Sequence, residues 1–194
     1  MIINVILFQN FETLDVFGPV EVFGKIDGWK IKFYSMDGGI VPNLDNVSID
    51  TEKIEDIVPQ GLLFIPGGPG TRVEVENSLF IDKLRALAEQ SKYVVTVCTG
   101  SALLAKTGLL DGKRATSNKR SFDWVKLSSD HVIWEKSARW VVDEKYYTSS
   151  GVSAGIDMAL GFIADVVGLD KACEVAKNIE YRWQGDKTID DFTH

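Results

Sequence analysis

The sequence predicts an α/β domain, a three-layer sandwich with a mostly parallel central sheet. Short apolar runs rich in β-branched residues alternate with helix-length segments along the whole chain, as expected of parallel strands covered on both faces. Leu62–Ile65 is apolar throughout, so it reads as a strand with no solvent-facing side. A chain of 194 residues with 45% hydrophobic content is long enough for one well-buried core and too short for two full domains. Residues 1–194 are therefore expected to form a single domain.

The elements follow in order. Ile2–Phe8 reads as a first buried strand. Thr13–Ile26 follows as an apolar-rich helix, with Thr13 as a candidate N-cap and Gly28 near its end. Trp29–Ser35 is the next strand. The segment from Gly38-Gly39 to Asp50 reads as a hairpin, with alternation at Val41, Val47 and Ile49. Leu62–Ile65 runs into Pro66-Gly67-Gly68-Pro69-Gly70. Leu79–Gln90 is an amphipathic helix with Leu84, Leu87 and Ala88 on its inner stripe. Tyr93–Val97 is another buried strand, and Ser101–Lys106 a helix of small residues. Strand pieces are expected at Val132–Trp134, Arg139–Val142 and Tyr146–Thr148, and helices at Ala154–Val167 and Leu169–Arg182. No repeat, low-complexity linker or composition break divides the chain. The architecture this order implies is flavodoxin-like.

Composition excludes several classes. A net charge of −7 provides no concentrated basic face, so no nucleic-acid partner is expected. The one basic cluster, Lys113-Arg114 with Lys119-Arg120, reads as solvated surface. The apolar start is too short for a membrane span and lacks a basic n-region and a cleavage pattern, so neither secretion nor membrane association is expected. Cys98 and Cys173 lie far apart and form no metal spacing, and a disulfide between them is not expected without export. The expected compartment is a reducing cytoplasm, with no metal or cofactor.

Cys98 carries the chemistry. Tyr93-Val94-Val95-Thr96-Val97-Cys98-Thr99-Gly100-Ser101-Ala102 passes from buried strand to helix without loop residues, the pattern of a nucleophile elbow. A residue there lies at the carboxyl end of a parallel strand, where open α/β sheets bind ligands. The amino end of the next helix favours negative charge, so the thiol is expected to ionise more readily than a free one, at about 8.5. Cys173, inside an amphipathic helix, reads as a structural core residue.

A working thiol needs an anion-stabilising site and a proton-transfer group. Gly67 or Gly68, at the end of its own buried strand, could pair its N–H with that of Thr99 to bind developing negative charge; the same glycines could simply form a turn. Asp15 is flanked by Leu14, Val16 and Phe17, and a carboxyl pressed against apolar surface has a raised pKa suited to acid–base work. Glu12 could serve instead, or either acid could merely complement the helix dipole. His131 lies in a polar loop and His194 is the last residue. Neither is placed to serve Cys98, so a Cys-His-Asp protease triad is not expected.

These segments together resemble the ThiJ/PfpI superfamily, within the class I glutamine amidotransferase-like fold. The resemblance rests on D-V-F-G-P-V-E-V-F at 15–23, F-I-P-G-G-P-G at 64–70, V-C-T-G-S-A-L-L-A-K-T-G-L-L-D-G-K-R-A-T at 97–116 and S-S-G-V-S-A-G-I-D-M-A-L at 149–160. D-x-x-G-P with C-T-G is most similar to the isonitrile hydratase branch. That resemblance implies Cys98 as nucleophile, Asp15 as acid/base and Thr99 as a residue supporting the thiol. Gly67, Gly68 and Asn118 are the expected substrate- and oxyanion-binding residues, and a homodimer with the site near its interface is implied. Protease-like members carry a histidine directly after the cysteine, where this chain has Thr99. Asn118-Lys119 stands where many relatives have histidine and tryptophan. The tail Glu180-Tyr181-Arg182-Trp183-Gln184-Gly185 lacks the prolines usual in isonitrile hydratases. The expected activity is cofactor-free hydration of a small isonitrile to an N-substituted formamide. The alternatives are glyoxalase- or hydrolase-type chemistry on small carbonyls, and a ligand-binding or thiol-oxidation-sensing domain.

Overall fold

A computed structural model of the chain describes residues 1–193. Strand β1 (Ile2–Ile6) leads to helix α1 (Thr13–Phe23), and strand β2 (Lys30–Ser35) to the antiparallel pair β3 (Gly39–Pro42) and β4 (Ser48–Lys53). Strand β5 (Leu62–Ile65) is followed by helices α2 (Thr71–Glu74) and α3 (Ser78–Gln90), and strand β6 (Tyr93–Thr96) by α4 (Gly100–Lys106). A two-stranded parallel piece, β7 (Arg114–Ala115) and β8 (Ile133–Trp134), encloses the short helix α5 (Phe122–Lys126). The chain then adds β9 (Trp140–Asp143), β10 (Tyr146–Ser149), α6 (Ala154–Val166) and α7 (Leu169–Asn178).

The main sheet has eight strands in the order β3-β4-β2-β1-β5-β6-β10-β9. From β4 to β10 every neighbouring pair is parallel, and β3 and β9 are antiparallel edges. Its centre, β2-β1-β5-β6-β10, is the doubly wound order of flavodoxin-like folds, in which the direction of winding reverses beside the first strand. Every residue of β5 is buried, as a strand covered on both faces requires. Helix α6 packs against both α1 and α7, and α4 gathers α2, α3 and α5.

Phe162 of α6 anchors the aromatic part of the core. Its ring meets Phe23, Tyr93 and Tyr147 edge-on, at centroid distances of 5.9, 5.1 and 5.0 Å. The tail after α7 is fastened by charge. Arg139 Nε donates to Asp157 Oδ2 at 2.7 Å, and the other Asp157 oxygen accepts the Gln184 N–H at 2.9 Å. Asp157 of the G-I-D-M-A-L run is therefore a buried counter-ion that holds both β9 and the tail.

Four expectations change. The residue preceding α1 is Glu12, not Thr13, and its side chain makes no capping bond; the Thr13 hydroxyl instead engages Asp45 and Asn43. That helix ends at Phe23 with Gly24 after it, so Gly28 belongs to the turn into β2. Helix α7 stops at Asn178 rather than Arg182, because Glu180 takes a left-handed conformation and the Tyr181 N–H turns back to the Ala176 carbonyl. Cys173 is exposed: the inner face of α7 is Ala172, Val175 and Ala176, and Cys173 falls on the other side. Helices α2 and α5 and strand β7 carry too few residues to show a period. No helix among the described residues is long and apolar enough to cross a membrane.

Phe162→Ala should remove the ring that joins α1, β6 and β10 to α6. A loss of about 3–5 kcal/mol is expected, read as a lowered urea midpoint with an unchanged slope.

Candidate active site

Cys98 lies one residue, Val97, beyond the end of β6, and its backbone is left-handed, with φ at 57°. That conformation turns the chain out of the strand and into α4, as a nucleophile elbow requires. The elbow is pinned on all sides. The Cys98 N–H donates to the Ser150 carbonyl at 3.2 Å, and the Cys98 carbonyl accepts the hydroxyls of Ser117 at 2.8 Å and Ser101 at 3.1 Å. Gly100 makes the turn possible, because a Cβ there would lie 2.4 Å from the Ile65 carbonyl oxygen.

Asp15 arrives from the first turn of α1 and is fully buried. The start of that helix is tied to the Pro66-Gly67-Gly68-Pro69-Gly70 loop: the Glu12 N–H donates to the Gly67 carbonyl at 2.9 Å, and the Gly70 N–H to the Asn10 carbonyl at 3.1 Å. In return the Gly67 N–H donates to Asp15 Oδ2 at 3.1 Å. Oδ1 is buried without a well-formed hydrogen bond. A side chain at position 67 would strike the Thr99 nitrogen and hydroxyl and the Asp15 carboxyl, all within 2.8 Å, so glycine lets loop, acid and elbow converge.

The structure therefore brings Cys98, Asp15, Thr99 and Asn118 together. Asp15 is the acid in direct interaction with the thiol, while Glu12 stands further out on the wall of the same cavity. The Thr99 N–H and the Asn118 side chain both act on the Cys98 sulfur and favour its negative form. The two glycines have different tasks from those expected. The Gly67 N–H is engaged by Asp15, and the Gly68 N–H donates to the Thr99 hydroxyl at 3.0 Å, so neither is free for an oxyanion. The groups directed at the sulfur are the Thr99 N–H and the Asn118 side chain. The Thr99 hydroxyl, also bonded to Thr71 at 3.0 Å, is a structural clamp between elbow and loop. His131 is exposed and absent from the cavity wall, and His194 lies outside the described residues.

Both reactive groups hold their protons more tightly than usual. Burial, and then the Glu12 charge, push the Asp15 carboxyl well above the ordinary carboxylate range, and the Cys98 thiol and the Gly67 N–H offset only part of this. Burial, and then the Asp15 charge, push the thiol up, against the pull of Thr99 and Asn118. This corrects the expectation of an easily ionised thiol. A helix terminus contributes at most about 2 kcal/mol, whereas full burial can shift a group by up to about 3–5 pKa units, at 1.36 kcal/mol each. Desolvation wins, and both groups release their protons less readily than free ones do.

A cavity of about 440 Å³ above Cys98 is walled by Glu12, Gly68, Arg72, Asn118, Arg120 and Val152, among others. A second, of about 450 Å³, shares Asn118, Arg120 and Val152 and reaches Phe192. Val152 has a φ of 36°, a strained value for a β-branched residue, on the wall of both. Ser117, Arg72 and Arg120 were not legible as site residues, because no local motif marks them and distant segments bring them in. Among the described residues no cluster of histidine, cysteine and acidic side chains could hold a metal ion.

An α/β domain with a cysteine on an elbow and a carboxyl against its sulfur defines a class of small cysteine-centred proteins. The chain belongs to the DJ-1/PfpI family, whose model matches residues 1–165. It is 31% identical over 182 residues to an isonitrile hydratase of Pseudomonas putida, covering 92% of this chain and 78% of that protein. It is also 31% identical over 183 residues to the HTH-type transcriptional regulator CdhR of Pseudomonas aeruginosa, covering 89% of this chain and 52% of the regulator. A ThiJ/PfpI family protein from Pseudomonas syringae superposes with a TM-score of 0.85 at 27% identity, over 93% of this chain and 74% of that one.

Asp15→Asn removes a charge that raises the thiol pKa. The Cys98 thiolate, followed by its ultraviolet absorbance, should form at lower pH in the variant. The same substitution tests linkage. Because the folded pKa of Asp15 lies above its ordinary value of 3.8, the wild type is relatively most stable below that pH and loses stability as pH rises toward the folded pKa. D15N should therefore be the more stable protein at pH 8 by denaturant unfolding, with the gap closing below about pH 4.

Proposed function

We propose that the protein hydrates a small isonitrile to an N-substituted formamide, with Cys98 as nucleophile and Asp15 as acid and base. The observation that carries this reading is the direct interaction of a buried carboxyl, its pKa raised by burial, with the thiol. An isonitrile reacts by 1,1-addition: its terminal carbon receives both the proton and the nucleophile. Two neighbouring groups that deliver a proton and a sulfur to one point suit that demand.

In the first half, the Asp15 carboxyl gives its proton to the isonitrile carbon as the Cys98 sulfur bonds to the same atom. The thiol proton passes to the Asp15 carboxylate, leaving a thioformimidate, R–N=CH–S–Cys98. In the second half, a water attacks that carbon, with Asp15 taking a proton from it and returning one to nitrogen. The C–S bond breaks, formamide leaves, and the thiol regains its proton. Developing negative charge on sulfur is met by the Thr99 N–H and the Asn118 side chain. Atoms balance as isonitrile plus water, and nothing is oxidised or reduced.

A second reading, a ligand-binding domain without turnover, draws on the similarity to a transcriptional regulator of which this chain spans about half. The homodimer implied by the family would be built on the exposed Leu14 and Phe17, which flank Asp15 on α1.

Cyclohexyl isonitrile with formamide detection by NMR decides between these readings. Turnover is expected in the wild type, none in Cys98→Ala, and a kcat reduced about 10²–10⁴-fold in D15N. Saturable binding without formamide would reject the hydratase and leave the binding domain. Light scattering should give the mass of two chains, reduced toward one by a Leu14→Glu, Phe17→Glu double variant.

A further inference from the structure

The hydration chemistry leaves two side chains of the Cys98 cavity without a task. Arg72, on α2, and Arg120, two residues after Asn118, both line the wall of that cavity. Neither takes part in any of the ion pairs found among the described residues. Arg72 is nonetheless held in place. Its guanidinium carbon lies 4.5 Å from the centre of the Trp124 ring, and Nη2 donates to the Ser121 hydroxyl at 3.2 Å. A planar guanidinium stacked on an aromatic face and fixed at one nitrogen has lost much of its rotamer freedom in advance, with other N–H groups left to bind.

The balance of charge in the cavity points the same way. Asp15 lies beneath it beside the thiol, and Glu12 is the carboxylate on its wall. Two guanidiniums share the wall with that one half-buried acid. A neutral hydrocarbon isonitrile would use neither of them. An anionic substrate would use both, since a guanidinium fork matches a carboxylate in two parallel hydrogen bonds. The reacting carbon must lie at the Cys98 sulfur, so the substituent on nitrogen extends into the cavity whose wall carries Arg72 and Arg120.

We propose that Arg72 and Arg120 form a carboxylate-recognition subsite, and that the substrate carries a carboxylate on the substituent that points away from Cys98. The class of reaction rests on the hydratase reading, whereas the anion subsite itself can be tested without it. It also gives the cavity a polarity. A charged rim orients the molecule, and a buried floor, where acid and thiol meet, performs the addition.

Alkylation of Cys98 reports on the subsite independently of turnover. In a Cys173→Ser background, which removes the exposed thiol, the rate with iodoacetate is divided by the rate with iodoacetamide and compared with the same ratio for 2-mercaptoethanol. The protein is expected to favour the anionic reagent by about tenfold relative to the free thiol, a preference that high salt erodes. Arg72→Ala with Arg120→Ala should abolish it. Where loss of the Trp124 stack prevents folding, Arg120→Ala alone should lower the preference several-fold. No preference in the wild type, or an unchanged preference in the arginine variants, overturns the subsite.

Turnover provides the second arm. The selectivity for isocyanoacetate over its methyl ester, as a ratio of kcat/KM values, should fall about tenfold in the double variant. Equal ratios in wild type and variant overturn the proposal and leave the hydratase intact. Loss of iodoacetate preference without hydration of either isonitrile removes the hydratase and keeps the anion subsite.

Discussion

The left-handed backbone of Cys98 is the constraint on which the rest of the site depends. A non-glycine residue at that φ costs about 1–3 kcal/mol and persists only where its surroundings over-determine it. Here the surroundings do so. Ser150 takes the N–H, Ser117 and Ser101 hold the carbonyl, and Gly100 leaves room for the Ile65 carbonyl behind the turn. Each contact comes from a different part of the chain, so the elbow is a product of the assembled sheet. Were the residue to relax into extended backbone, the sulfur would leave Asp15 and the Asn118 amide.

Position in the sheet then supplies the partners. Asp15 follows β1, the Gly67 loop follows β5, and Cys98 follows β6, three strands that are neighbours in space. Their carboxyl ends meet where the winding of the sheet reverses, the place at which an open α/β sheet leaves a crevice. The elbow, acid and glycine loop are carried by the ends of these strands, whereas the outer walls come from segments 118–121, 151–153 and the tail.

Electrostatically the site is dry at its floor and charged at its rim. Burial raises the pKa of both Asp15 and Cys98, outweighing the short helix behind the cysteine. A reactive pair of this kind does not advertise itself as a free thiolate would. In the proposed mechanism it becomes nucleophilic when a bound molecule accepts the proton, which would tie reactivity to occupancy.

By itself the sequence determined the alternation of buried strands and helices, the elbow at Cys98 and the glycine loop. Each of these is written in contiguous residues whose period or composition has a direct physical meaning. The edges of elements were less legible: α7 ends early because Glu180 bends left-handed, and Cys173 lies outside because one helical step separates it from Ala172. Tertiary structure alone decided that Asp15, rather than Glu12, meets the sulfur, because that choice depends on how the Gly67 loop is tied to the first turn of α1. It also decided the protonation of the site. A strand end and a helix start can be read along the chain, but desolvation is a property of everything packed around a group, and here it is the larger effect.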